Sequence, residues 1–238
     1  MNKIRMNMDS KIVSQAIKAK IRPLLESHGF TDFTARNFWR VGKKATDVIN
    51  FQSFNAYLAD GLGCTTYSFS VNLGCSHRAF PVFRHGKIKK RKDGRFLPEE
   101  YRCPFRVTLK RTIPQKRGLL PLNYKRMDIW YIDPEGAYIE PALDDVEKQI
   151  EKLAMPWFER LHDDENIMRI LQNEAEDMDT LWGFGNNPSP MRSYLMGYMA
   201  LHMGKNELAR TYLQAVLDSH SFEEEDEYIR EALEKLGD

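Results

Sequence analysis

Apolar residues recur at helical spacing near the start of the chain. Val13, Ile17, Ile21, Leu24 and Leu25 keep to one face behind Asp9 and Ser10, both good helix caps. Pro23 interrupts the pattern and predicts a kink, and Gly29 supplies a left-handed stop after Ser27 and His28. The period then changes to two. Phe38 to Val41 and Asp47 to Ser53 read as strands around a Gly42-Lys43-Lys44 turn. In Thr66 to Leu73, Tyr67, Phe69, Val71 and Leu73 alternate with Ser68, Ser70 and Asn72, which predicts a strand with one core face and one polar face. Phe105 to Leu109 repeats the pattern, and Met127 to Ile132 reads as a last strand. No run between these strands has the look of a crossover helix, so the expected sheet is antiparallel.

After Pro134 the pattern is helical to the end. Val146, Ile150 and Leu153 share a face of a helix starting at Pro141 and expected to end near Pro156. Further helical turns follow at 157–161 and 166–171. Gly183 to Pro190 is a strong breaker and a candidate hinge. Helices are then expected over 189–203, 206–217 and 223–236. In the first pair, Gly197, Gly204 and Ala209 fall where tetratricopeptide hairpins place small residues for helix contact. One copy is too few for a solenoid, so the pair reads as one repeat-like hairpin packed on the rest. The expected fold class is α+β. Residues 1–161 form an N-terminal helix and a mainly antiparallel sheet of about five strands, and residues 162–238 form a helical extension.

Composition narrows the function classes. The 238 residues are 42% hydrophobic and 29% charged, which excludes a disordered tail or a disulfide-stapled miniprotein. The most apolar run, Tyr194 to Met203, is too short to span a bilayer, and the first residues lack a secretory apolar segment. Cys64, Cys75 and Cys103 show no CxxC spacing and read as reduced thiols, so a cytoplasmic protein with no membrane contact is expected. The formal net charge of +1 hides a division. Residues 1–126 carry 26 Lys/Arg and 8 Asp/Glu, while residues 127–238 carry 9 and 26.

Several groups of reactive side chains also fit ordinary structural roles. Cys75, His77, His85 and Cys103 are zinc-type donors, but only one close pair exists where structural zinc sites show two. Cys75 with His77 lacks any third orienting group for a nucleophile. Asp133, Glu135, Glu140, Asp144 and Asp145 cluster where sheet gives way to helix, and caps and solvated faces account for them. The chain carries no Walker loop, GxGxxG, HExxH or GxSxG, so no cofactor and no metal is implied and enzyme status stays open, leaning against. Residues 84–126 hold 15 Lys/Arg against 3 acids; Lys89, Lys90, Arg91, Lys92 and Arg95 fall in a long loop expected over 84–100, and Phe83, Phe96, Tyr101 and Phe105 flank the basic run. That combination suits phosphate contact and base stacking, or equally a solvated loop guarding a sheet edge.

Taken in order, His28-Gly29-Phe30, Arg36-Asn37-Phe38-Trp39-Arg40, Val48 to Ser53, Phe69 to Gly74 and Asp128 to Tyr131 resemble the bacterial domain of unknown function 4304 family. The resemblance spans about residues 10–161, and the helical tail is similar to tails on some longer members. It implies an α+β domain in a bacterial cytoplasm and no established activity. Asn50, Gln52 and Asn72 project from one face if their strands pair. Their amides then form either a buried structural network, which Gln52→Ala would unfold, or a recognition surface. The resulting expectation is a non-enzymatic binding or regulatory protein, toxin-immunity-like in type, that engages another protein. Nucleic-acid binding through 84–126 is the alternative, and an enzyme of unknown reaction stands third.

Overall fold

Asp9 accepts hydrogen bonds from the backbone nitrogens of Lys11 and Ile12 at 2.8 and 2.9 Å, and so opens helix α1, Ser10–Ser27. Pro23 is accommodated inside α1, and Gly29, at φ +83°, ends it. The computed structural model describes residues 9–81, 93–94, 96–114, 123, 125–172 and 188–236.

The sheet follows. Strands β1 (Asp32–Phe33), β2 (Asn37–Val41), β3 (Ala45–Ser53), β4 (Phe69–His77) and β5 (Phe105–Thr108) lie in sequence order, and every neighbouring pair is antiparallel. Gly42 N donates to Ala45 O at 2.8 Å to close the β2–β3 turn. A short helix α2, Ala56–Leu62, sits in the β3–β4 connection, capped by the Asn55 side chain and ended by Gly63 at φ +71°. The sequence pattern missed it because a seven-residue helix is too short to display a period. Two strand expectations need correction. β4 begins at Phe69, not Thr66, and continues to His77. The segment 127–132 forms no strand; it meets the sheet only at the Phe69–Trp130 bridge, and the fifth strand is the edge pair Asp32–Phe33.

Helix α3 (Ile139–Gln149) does not stop before Pro156. It widens into a π-helical turn, Ile150–Ala154, and continues as α4, Met155–Arg160, with Pro156 in the first turn. The wider turn changes the hydrogen-bond ladder where the proline lacks a donor. It also turns the helix, which leaves Leu153 46% exposed instead of aligned with buried Val146 and Ile150. Helix α5 is Asp164–Gln172, α6 Pro190–His202, α7 Asn206–Asp218 and α8 Asp226–Glu234. The breaker at 183–190 lies largely outside the described residues. Its end is visible: Ser189 caps α6, and Pro190 occupies the first turn.

One large apolar core runs through these elements except α2, and a small second cluster of Trp39, Val48 and Cys103 lies apart from it. The large core joins Ile17 and Ile21 of α1, Phe51, Phe69 and Leu73 of the sheet, Phe158 of α4, and Leu195, Leu213 and Ile229 of the last helices. Helix α6 is buried on nearly every side and packs on α7, where a Cβ on Gly197 would stand 2.6 Å from Leu213 Cδ2. Gly204 serves a different purpose from the expected helix contact. A Cβ there would meet nothing within 4 Å, and its φ of +71° marks the turn between α6 and α7. In the acidic run 223–227, Glu225 is buried beside the Tyr194 hydroxyl at 3.4 Å, so part of it faces inward.

The charge division is resolved partly within the molecule. Lys20 of α1 meets Glu140 and Asp144 of α3 at 3.0 and 2.5 Å, Arg40 of β2 meets Glu159 at 2.9 Å, and Lys44 meets Asp164 at 3.1 Å. Among the described residues, no helix is long and apolar enough to cross a membrane.

Candidate functional site

Strand register sets Asn37, Asn50, Asn72 and Thr108 opposite one another on four successive strands, so the side chains share one face of the sheet. They are wired together. Asn50 Nδ2 donates to Asn37 Oδ1 at 2.7 Å, Asn72 Nδ2 to Gln52 Oε1 at 2.8 Å, and Thr108 Oγ1 to Asn72 Oδ1 at 2.8 Å. The structure thus brings Asn50, Gln52 and Asn72 into one chain of hydrogen bonds. β4 itself has no exposed polar face: Ser70 and Asn72 are buried, because the 3-10 turn Glu100–Arg102 and Cys103 fold across that side of the sheet. Gln52 remains exposed, so the network is closed at its centre and open at one end.

That open end faces a groove of about 410 Å³ lined by Gln52, Leu58, Asn72, Tyr101, Arg106 and Asp128, among others. Leu58 and Tyr101 are 45% and 61% exposed. Burial would raise the Asp128 carboxyl, but the Arg126 guanidinium at 3.0 Å holds it below the usual range. Burial pushes Glu100 up, offset in part by Arg106. The groove therefore offers amides, a hydroxyl, aromatic and aliphatic surface, and charges of both signs.

Of the basic segment, Lys89, Lys90, Arg91, Lys92 and Arg95 lie outside the described residues. Three of its described cations are engaged. Arg102 pairs with Glu99 at 2.8 Å, Arg126 pairs with Asp128, and buried Arg111 donates to Ile113 O at 2.6 Å and to Arg126 O at 3.3 Å. Phe105, expected as a stacking residue, is fully buried in the core; Tyr101 is exposed, and Phe83 lies outside the described residues.

The opposite face of the sheet holds a second polar constellation. Register aligns Arg40, Asp47, Cys75 and Phe105 across β2 to β5. Asp47, fully buried, accepts from Arg40 Nε at 2.7 Å through Oδ2, and its Oδ1 lies 3.0 Å from His162 Nε2 in the α4–α5 turn. Burial pushes the Cys75 thiol well up, and the Asp47 charge adds to the effect. Burial also draws His77 down to about 4. His77 Nδ1 accepts from Ala79 N at 3.2 Å, while its Nε2 lies 3.3 Å from Asp164 without hydrogen-bond geometry. Both shifts oppose the thiolate–imidazolium pair that a nucleophilic cysteine needs. Cys103 lies against Gly74 on the other face of the sheet, and His85 is outside the described residues, so the four zinc-type donors are not brought together. Spacing along the chain could not reveal Asp47 with His162, since 115 residues separate them. The available signal was an acid inside the apolar strand Ala45–Ser53.

The carboxylate cluster separates into structural tasks. Asp145 is buried and accepts from Trp130 Nε1 at 3.0 Å and Thr112 N at 2.9 Å, with a further bond to the Thr112 hydroxyl. Asp133 accepts from Ala137 N at 2.8 Å in the turn before α3, and Glu140 and Asp144 hold Lys20.

The molecule is thus an α+β protein whose antiparallel sheet carries an amide-lined face on one side and packs helices on the other. The chain belongs to the family described as Domain of unknown function (DUF4304), which matches residues 21–160. The matched segment contains the whole sheet and ends with α4; helices α5 to α8 lie beyond it. No curated protein and no solved structure matches the chain.

Proposed function

We propose that this is a non-enzymatic binding or regulatory protein that holds an extended segment of a partner protein in the groove beside Gln52. The observation that carries the reading is the hydrogen-bonded row Asn50–Gln52–Asn72–Thr108, fixed at its centre and open at Gln52. A primary amide both donates and accepts, so the exposed Gln52, held by Asn72 behind it, can pair with an N–H and a C=O of an extended chain. Tyr101 and Leu58 supply the apolar and aromatic surface from which binding hot spots are built. Charges of both signs in the groove, and the internal pairing of Arg102 and Arg126, favour a protein partner over a polyanion.

The test is a pull-down from the source cell with the full chain, beside Gln52→Ala and Tyr101→Ala. A partner captured in stoichiometric amount by the parent chain and lost from both folded variants supports the reading. Rescue from a toxin encoded beside the gene would assign the immunity role. Retention of nucleic acid with a steep salt dependence, insensitive to both variants, would overturn the groove as the binding surface.

A further inference from the structure

The core-face row Arg40–Asp47–Cys75 lies beneath the α4–α5 turn that carries His162. One carboxylate oxygen of Asp47, Cys75 Sγ and one ring nitrogen of His162 all lie within 4.8 Å of one another. A tetrahedral zinc ion, with bonds of about 2.0 to 2.3 Å, separates its ligand atoms by roughly 3.2 to 3.7 Å. The triangle therefore closes around an ion with side-chain shifts of about an ångström or less. Asp47 and Cys75 are held opposite each other on paired strands and have no solvent exposure, while the His162 side chain is 26% exposed.

We propose that Asp47, Cys75 and His162 form a zinc-binding site, with a solvent molecule as the fourth ligand on the exposed side of His162. The donor set selects the metal. A thiolate with an imidazole and a single carboxylate suits zinc, whereas magnesium and calcium take oxygen ligands in larger number. Arg40 occupies Asp47 Oδ2 and leaves Oδ1 toward His162, so it acts as the outer partner that orients a one-oxygen carboxylate ligand. Glu159 completes that outer layer. It lies 2.9 Å from Arg40 Nη2, and its other oxygen is 3.9 Å from His162 Nδ1; Nε2 donates to Asp47 Oδ1 in the metal-free chain, and the ring proton moves to Nδ1, on the Glu159 side, when the ion takes its place.

The charges balance. Zinc with one thiolate and one carboxylate is neutral, and Arg40 is offset by Glu159. On binding, the Cys75 S–H bond breaks, a Zn–S bond forms and one proton passes to solvent; no oxidation state changes. The ion would join β3 and β4 to the α4–α5 turn, and His162 lies just beyond the family match that ends at residue 160. The site stands on the opposite face of the sheet from the groove and does not depend on it.

The full chain, stripped with a chelator, would be titrated with Zn²⁺ and with Co²⁺ as a spectroscopic probe. The expected results are one ion per chain, one proton released per ion near neutral pH, and a thiolate-to-Co²⁺ charge-transfer band in the near ultraviolet. Cys75→Ser should abolish the band, and His162→Gln should weaken Zn²⁺ binding by about 100-fold or more, beyond the usual loss from an outer partner. His162 sits on an exposed turn, so its variant keeps the test decisive if Cys75→Ser does not fold. The proposal is overturned by a folded parent chain that takes up no stoichiometric Zn²⁺, by a Co²⁺ complex without a thiolate band, or by zinc affinity unchanged in His162→Gln.

Discussion

Arg40 Nε stands 2.7 Å from Oδ2 of Asp47, whose side chain has no solvent exposure, while the Arg40 side chain is 18% exposed. Arg40 also lies 5.6 Å from the Phe30 ring and 5.8 Å from the Phe158 ring, so it packs between the turn that follows α1 and helix α4 as well as neutralising Asp47. Arg40→Ala leaves a buried carboxylate without its cation. The expected loss is about 3 kcal/mol, the low end for a broken buried pair because Arg40 reaches solvent. Urea denaturation of Arg40→Ala, Asp47→Ala and the double variant checks this. The double variant should be less destabilised than the sum of the singles.

Gln52 and Asn72 share a hydrogen bond but differ in burial, and the two alanine variants should separate accordingly. Gln52→Ala should cost less than about 1 kcal/mol, since water replaces the lost partner at an exposed site. Asn72→Ala strips partners from Thr108 and Gln52 inside a covered face and should cost about 1 to 3 kcal/mol. Thermal melts of both variants decide it. Unfolding of Gln52→Ala would restore the view that the whole row is structural.

Gly197 is required by contact, Gly204 by backbone geometry. Gly197→Ala drives its Cβ into Leu213 and should cost about 1 to 3 kcal/mol through overpacking. Adding Leu213→Ala should relieve the clash, so that the pair of changes is less destabilising than their sum. Gly204→Ala has room but must hold a left-handed backbone, at about 1 to 2 kcal/mol.

Tyr198 provides a pH dependence. Burial, reinforced by the Glu225 charge, raises its phenol from the usual 10 to about 12. Between these values the unfolded chain loses the proton and the folded one keeps it. Its contribution is therefore complete below pH 10 and declines as pH rises to 12, by about 1.4 kcal/mol per pH unit. The hydroxyl is buried with only the neighbouring Tyr194 hydroxyl to meet it, so Tyr198→Phe should change stability at pH 8 by no more than about 1 kcal/mol. Denaturation midpoints at pH 8 and pH 11 test both points. A Tyr198→Phe curve falling as steeply as the parent's would refute the assignment.

Features that depend on neighbours a few residues apart are legible in the chain alone. The cap at Asp9, the stop at Gly29, the Gly42 turn, the period-two strands β2, β3 and β5, and the helices α6 and α7 all follow from local backbone preference and from one-sided burial. The amide row was legible for the same reason, because Asn50, Gln52 and Asn72 fall at even spacing within strands and alternation sends such residues to one face. The remaining features come from packing between distant segments. The alternation of β4 implied an open polar face, but a 3-10 turn about 30 residues later in the chain covers it. Segment 127–132 looks like a strand, yet the chain buries Ile129, Trp130 and Ile132 and gives sheet pairing only to Trp130. Asp47 gained its meaning only when Arg40 arrived across β2 and His162 arrived from a turn 115 residues away. Periodicity records which face of an element is buried; it carries no information about which distant side chain is buried against it, and that pairing is fixed only when sheet and helices pack together.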